Sequence, residues 1–350
     1  MQYSCHFHHL YHKGTLSVRQ VVARTDMYHG VGPFDPVTGN LGPAKESFSD
    51  SFGKALCDMA EKDGRVAAIT AAMCGGTGLS LFEEKFPERL FDIGIAEGHA
   101  VAMAAGMAKQ GAIPVFAVYS SFLQRAYDML IHDVALQDLH VVFCVDRAGL
   151  VGSDGETHHG VFDVVYLDSV PGMTVLAPAS FAELEHMLER AVLHMNGPVA
   201  VRYPRGSEGT YTSDGGDEPA VVLRRGKDIT LAGYGTEIND LLEAAGLLAK
   251  SGVETQVVKL NQIAPLVPDL VVASVKQTGA LLVAEDCIAE GCVGQRLAAA
   301  LEAADVPGKV CLINCGGRFV THGALRCLKQ ELGLDGEGIA RKALEVLGRG

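Results

Sequence analysis

Residues 113–160 read IPVFAVYSSFLQRAYDMLIHDVALQDLHVVFCVDRAGLVGSDGETHHG. Two apolar, β-branched runs, IPVFAVYS (113–120) and LHVVFCVD (139–146), are each followed by a polar segment. Continuous apolar runs of this length fit strands buried on both faces of a parallel sheet. The same texture recurs on either side, at VAAIT (66–70), MTVLA (173–177) and VAVRY (199–203). Helical patterns lie between the runs, over Glu97–Lys109 and Ser180–Met195. Upstream, Ser49 is a candidate N-cap for a helix that places Phe52, Leu56, Met59 and Ala60 on one face. Ser180 followed by Glu183 predicts a capping box, in which each side chain satisfies a backbone N–H of the first turn.

RGSEGTYTSDGGDEPA (205–220) then interrupts the alternation with a polar, glycine-rich stretch, the best candidate for a domain boundary. Beyond it DITLAGYG, TQVVKL, ALLVAED and KVCLIN read as strands, with helical patterns at 237–251 and about 293–304. The expected fold class is α/β: two mainly parallel-sheet domains with helices on both faces. The expected boundaries are 1–45 for an irregular N-terminal segment, 46–205 for the first domain, 206–219 for a linker and 220–350 for the second. Within the first segment, YHGVGPFDPVTGNLGP (28–43) is dense in turn-forming residues.

Composition excludes several classes of function. The 350 residues hold 29 Lys and Arg against 42 Asp and Glu, a formal charge of −13. An acidic surface repels phosphate backbones and anionic lipid, so neither nucleic acid nor a membrane is an expected partner. The most apolar region, 100–119, is broken by Lys109, Gln110, Gly111 and Pro114, so no span is expected. The His-rich start, MQYSCHFHHLYHKG, has no apolar core of a signal peptide. Nine scattered cysteines without a CxxC pair predict reduced, mostly buried thiols and a cytoplasmic protein.

Ligands of open α/β sheets bind outside the carboxyl ends of the strands. Here those ends lead into IGIAEGH (93–99), YSSFLQRAYD (119–128), DRAGLVGSDGETHHG (146–160) and RYPRG (202–206). Together they carry Glu97, His99, Arg125, Asp146, Arg147, Asp154, His158, His159 and Arg205, a set suited to a small anionic substrate. A lone His-His pair on a glycine-rich loop, with no second ligand cluster, does not make a metal site.

FDIGIAEGHAVAMAAGMA, YSSFLQRAYDMLIHDVALQ, DRAGLVGSDGETHHGVFD, GPVAVRYPRG and, near the end, ELGLDGEGIARKAL (331–344) resemble the C-terminal half of the 1-deoxy-D-xylulose-5-phosphate synthases. These are transketolase-like thiamine diphosphate enzymes, and the resemblance runs from about Tyr28 to the end. It implies a pyrimidine-binding domain followed by a transketolase C-terminal domain. It also implies a transferase that joins pyruvate to glyceraldehyde 3-phosphate with loss of carbon dioxide, at the entry of the non-mevalonate isoprenoid pathway. A homodimer is expected. The magnesium ion that accompanies the cofactor belongs to an upstream pyrophosphate-binding domain marked by a GDG…N motif, and no GDG occurs in this sequence. The family's KGxGY joint has its nearest counterpart at Lys13-Gly14-Thr15-Leu16-Ser17, without the tyrosine.

Residue by residue, the resemblance gives Glu97 the role of exchanging a proton with the aminopyrimidine ring of the cofactor. A carboxyl in an apolar pocket suits that task, and Ile93, Ile95, Ala96 and Ala100 are the residues expected to supply it. Without the resemblance Glu97 reads as a first-turn glutamate favoured by the helix dipole. Tyr119 and Phe122 match an aromatic platform for the flat heterocycle. Arg125, one turn on, lines the same pocket or pairs with Asp128. Arg147 and Arg205 match positions that hold the aldehyde's phosphate, a task for which a forked guanidinium is suited; on pattern alone Arg147 pairs with Asp146. Asp154 and His158 are expected near the substrate's hydroxyl and carboxylate, with His158 moving protons. His99 contacts cofactor or substrate, or packs in the core. Three readings stay open: a catalytic half that works with a separate pyrophosphate-binding chain, a non-catalytic fragment, and a β-type subunit of a two-chain transketolase or 2-oxoacid dehydrogenase.

Overall fold

Twelve strands are found where the described residues alternate between apolar runs and helices. The computed structural model describes residues 45–214 and 216–349. The expectations placed on the first 44 residues, including the His-rich start, Cys5, the 28–43 stretch and Lys13–Ser17, lie outside the described residues. From Ser47 onward the chain is one compact unit.

The first sheet contains β1 (Val66–Thr70), β2 (Leu90–Asp92), β3 (Ile113–Tyr119), β4 (Val142–Asp146), β5 (Thr174–Leu176) and β6 (Val199–Arg202). The second contains β7 (Ala220–Arg224), β8 (Ile229–Tyr234), β9 (Thr255–Leu260), β11 (Ala280–Ala284) and β12 (Lys309–Ile313), while β10 (Gln262–Ala264) joins the edge of the first. The orders are β10-β5-β6-β4-β3-β1-β2 and β12-β11-β8-β9-β7. All pairings are parallel except β10 on β5 and β7 on β9. The α/β class with two mainly parallel sheets is therefore what the structure shows. The sequence pattern did not reveal β2, β7 or β10, which are short or partly exposed.

Side-chain alternation explains why the central strands read as unbroken apolar runs. In β3, Val115 and Ala117 feed a cluster with Phe52, Leu56 and Leu188, while Phe116 and Val118 face the opposite way, into a cluster with Val101 and Leu130. That second cluster continues through Val258, Leu281 and Val283, so one apolar core runs between the sheets. Each fully buried Phe or Val in such a layer is worth roughly 1.5–3 kcal/mol. A third cluster covers the far face of the second sheet, where Ile238 and Leu241 meet Ile339 and Ala343.

Two helix starts differ from expectation. Helix Phe48–Lys62 is capped by Ser47, in a reciprocal box with Asp50, and not by Ser49. The Ser49 hydroxyl instead donates to Asp146 Oδ2 at 2.7 Å. At helix Phe181–Leu193, Ser180 does accept the Glu183 N–H, at 3.1 Å. The return half of the box is missing. The buried Glu183 carboxylate accepts from the Ala179 N–H at 2.6 Å and the Tyr211 hydroxyl at 2.7 Å, and pairs with Lys259 at 3.0 Å. The eight described cysteines are all free, and five are buried. Among the described residues no helix is long and apolar enough to cross a membrane.

Candidate active site

The chain runs from β1 out to edge strand β2, then returns to β3 on the other side of β1. This reversal is a topological switch point, where the loops after neighbouring strands diverge and leave a crevice. Tyr119 ends β3 beside Asp146, the last residue of β4. Gly76, in the turn after β1, lies so close that a Cβ there would sit 2.2 Å from the Tyr119 hydroxyl. Only glycine leaves that approach open.

From this point a continuous set of contacts runs outward. The Tyr119 and Phe122 rings stack with centroids 5.6 Å apart and an interplanar angle of 23°. The His158 ring meets both edge-on, at 5.3 Å from Phe122 and 6.5 Å from Tyr119. Arg125 lies over Phe122 at 4.8 Å and donates from Nη1 to Glu97 Oε1 at 2.6 Å. On the other side Arg147 lies over Tyr119 at 4.0 Å. Glu97, Arg125, Phe122, Tyr119, His158 and Arg147 thus form one constellation, although they come from three separate segments.

Glu97 opens helix Glu97–Lys109 and is 3% exposed. Its surroundings are not the purely apolar pocket the sequence suggested, because Ile95 is 79% exposed and the carboxylate is held by Arg125. Arg125 is half-exposed and does not pair with Asp128, which hydrogen-bonds His132 instead.

Arg147 is fixed from several directions. Its guanidinium is 3.0 Å from Asp146, donates to the Gly76 carbonyl at 2.7 Å and donates to Ser49 Oγ at 3.2 Å. Its backbone is in the left-handed region, φ 57°, a conformation that costs on the order of 1 kcal/mol for a side chain of this kind. Burial pushes the Asp146 carboxyl upward, while Arg147 and the Ser49 hydroxyl pull it back. Burial also raises the Tyr119 phenol, partly countered by Arg147. Among the described residues, Arg147 Nε and the hydroxyls of Ser120 and Ser121 are buried without a hydrogen-bond partner. Ser49, Gly76 and Asp146 complete this corner. The clue in the sequence was CGGTG (74–78), a glycine-rich turn that follows the first strand.

Arg205 donates to Asp154 Oδ1 at 2.6 Å on a more exposed rim, close enough for both charges to act on Tyr119. His99 is exposed, so it is not a core histidine. His159 is buried and turned away from the rings: its Nδ1 accepts the Val151 N–H at 3.1 Å and its Nε2 meets the Thr321 carbonyl at 3.3 Å. Among the described residues, no group of three or more His, Cys, Asp or Glu side chains is placed to hold a metal ion.

Comparison with known proteins gives this arrangement a family. Residues 44–209 match the transketolase pyrimidine-binding domain and residues 218–339 the transketolase C-terminal domain. The chain belongs to the transketolase-like family. Within that family it is similar to the C-terminal half of 1-deoxy-D-xylulose-5-phosphate synthases. The synthase of Symbiobacterium thermophilum is 45% identical over 327 residues, 92% of this chain and 50% of the relative. The synthase of Chlorobaculum tepidum is 47% identical over 327 residues, 90% of this chain and 51% of the relative. The chain therefore spans about half the length of the curated relatives it matches. A solved structure described as a split-gene transketolase, an inactive beta4 tetramer, superposes with a TM-score of 0.79 at 26% identity. That likeness covers 87% of this chain and 99% of the other.

Proposed function

We propose that this chain supplies the pyrimidine-binding and C-terminal domains of a thiamine diphosphate-dependent transferase. The reaction joins pyruvate to D-glyceraldehyde 3-phosphate, giving 1-deoxy-D-xylulose 5-phosphate and carbon dioxide. A pyrophosphate-binding domain acts with it and carries the magnesium ligands. The observation that carries this reading is the constellation at the switch point, with a buried carboxylate, a stacked aromatic pair and an edge-on histidine. The residues fit the cofactor's ring. Tyr119 and Phe122 offer an aromatic surface, Glu97 offers a carboxylate, and the unpartnered Ser120, Ser121 and Arg147 atoms leave hydrogen-bonding capacity beside them.

When bound, thiamine diphosphate supplies the carbon nucleophile and the electron sink for decarboxylation. The chain's own groups have separable tasks. Glu97 exchanges a proton at its carboxylate with the pyrimidine ring, once the half-exposed Arg125 has swung away from Oε1. Arg147, already fixed by Asp146, Ser49 and Gly76, presents positive charge without first having to be ordered. Arg205 passes from Asp154 to the acceptor's phosphate. His158, held against both rings, moves a proton to or from the acceptor oxygen.

The split-gene transketolase supports the arrangement in which two such domains form a subunit of their own. Reconstitution tests the proposal. The chain is mixed with a pyrophosphate-binding domain from a related synthase, thiamine diphosphate, magnesium and both substrates, and deoxyxylulose phosphate is measured. Product that requires both proteins is expected. A stable complex that forms no product would favour the non-catalytic reading.

A further inference from the structure

Loop 147–160 carries Arg147, Asp154 and His158, yet it is held largely by the second half of the chain. Its base is a tight hairpin in which Gly149 and Gly160 exchange backbone hydrogen bonds at 2.7 Å. Asp286, just beyond β11, lies under that hairpin and accepts the Leu150 N–H at 3.2 Å. A Cβ on Gly149 would fall 1.5 Å from Asp286 Oδ2, so the glycine lets the loop seat on the carboxylate. Further out, Gly152 lies against Gly323 and Leu325, and Gly155 against His322. His159 closes the junction. Its ring bridges the Val151 N–H on its own loop and the Thr321 carbonyl on the opposing segment.

We propose that His159 is a positioning residue: its neutral imidazole latches loop 147–160, with the substrate-facing side chains it carries, onto the 320–323 segment. The bridge needs one accepting and one donating nitrogen, which only the neutral ring has. An imidazolium has two donors, and its Nδ1–H would point at the Val151 N–H. The charged or titratable groups that act on the ring are Asp154, Glu156 and His158 on its own loop; on the opposing segment His322 follows Thr321 and lies against Gly155. Burial keeps His159 below the ordinary histidine range, against the Thr321 carbonyl, Glu156 and Asp154, with His158 acting in the same direction as burial. A histidine whose folded value is depressed gives stability that is lost as pH falls from the unfolded value through the folded one. The latch is therefore closed near neutrality and weakens as pH falls. The link to substrate rests on the function proposed above; the latch itself does not.

Amide hydrogen exchange on the full chain separates the two, because it needs no turnover. Exchange at Val151 and Leu150 is compared at about pH 7.5 and about pH 5.5, corrected for intrinsic rates, with β4 amides as the reference. In the wild type, acid should lower Val151 protection by roughly 10-fold, the loss of one hydrogen bond. His159→Gln offers an amide that can accept and donate but does not titrate, so its protection should stay high at both values. His159→Ala should be poorly protected at both. Acid loss of equal size in His159→Gln, or full protection in His159→Ala, would overturn the latch. If His159→Ala does not fold, the wild-type profile and His159→Gln decide the matter. An intact latch together with failed reconstitution would leave the positioning role standing and remove the enzymatic one.

Discussion

Glu97 and Arg125 share a 2.6 Å hydrogen bond, and the two side chains differ greatly in exposure. Replacing the buried partner should be felt in the chemistry. In the reconstituted enzyme, Glu97→Gln keeps the shape and loses the transferable proton, so turnover should fall by roughly 10²–10⁴ with a much smaller change in pyruvate affinity. Turnover near that of the wild type would reduce Glu97 to a helix-start carboxylate. Arg147 and Arg205 look alike in the sequence, each just after a strand, yet their surroundings set them apart. Arg147→Ala leaves the fully buried Asp146 without its cation and should cost about 3–5 kcal/mol of stability, read as a fall in Tm. Arg205 is partly exposed and pairs with Asp154 on the rim, so Arg205→Ala should cost at most about 1 kcal/mol. Its effect should appear in the acceptor kcat/KM, lower by roughly 10- to 100-fold with phosphorylated glyceraldehyde and little changed with the plain aldehyde. Equal losses with both acceptors would remove Arg205 from the phosphate site. The identity of these residues was legible because strand ends collect chemistry. Their partners were not: Ser49 to Asp146 and Glu97 to Arg125 span 97 and 28 residues, and side-chain pairing at that distance leaves no local trace.

At the scale of elements, long apolar runs fixed the central strands to within a residue or a few, as at Thr255–Leu260 and Val66–Thr70. Burial on both faces is what makes such strands visible. Edge strands lose that signal: Leu90–Asp92 is mostly exposed, and Gln262–Ala264 pairs antiparallel on a sheet built mainly by the other half of the chain. Glu183 shows how tertiary contacts override a local motif. A capping box predicts that its carboxylate turns back to the Ser180 N–H. It turns instead toward Lys259 on β9 and Tyr211, joining a helix of the first sheet to the second. Lys259→Met should strand this carboxylate and destabilise the chain by about 3–5 kcal/mol in denaturant melts. The double variant Lys259→Met with Glu183→Gln should recover much of the loss. A single variant as stable as the wild type would mean the pair adds nothing that packing does not. At the outer end of helix Phe48–Lys62, Ser47→Ala should cost about 1 kcal/mol, the usual contribution of an N-cap.

Across the whole molecule, the charge of −13 and the position of the constellation bear on the same question. A diphosphate brings further negative charge, and an acidic chain disfavours it unless a cation and dedicated ligands accompany it. The described residues offer a carboxylate, stacked rings and arginines at the switch point, which suit a ring and a small phosphorylated substrate. Magnesium and the diphosphate therefore fall to the proposed pyrophosphate-binding domain. Calorimetric titration of the chain with thiamine diphosphate and magnesium, alone and then with that domain present, is the most direct test. Weak binding by the chain alone and tight, saturable binding by the mixture are the predicted results. A Kd below about 1 μM for the chain alone, or no gain in affinity on mixing, would contradict the account.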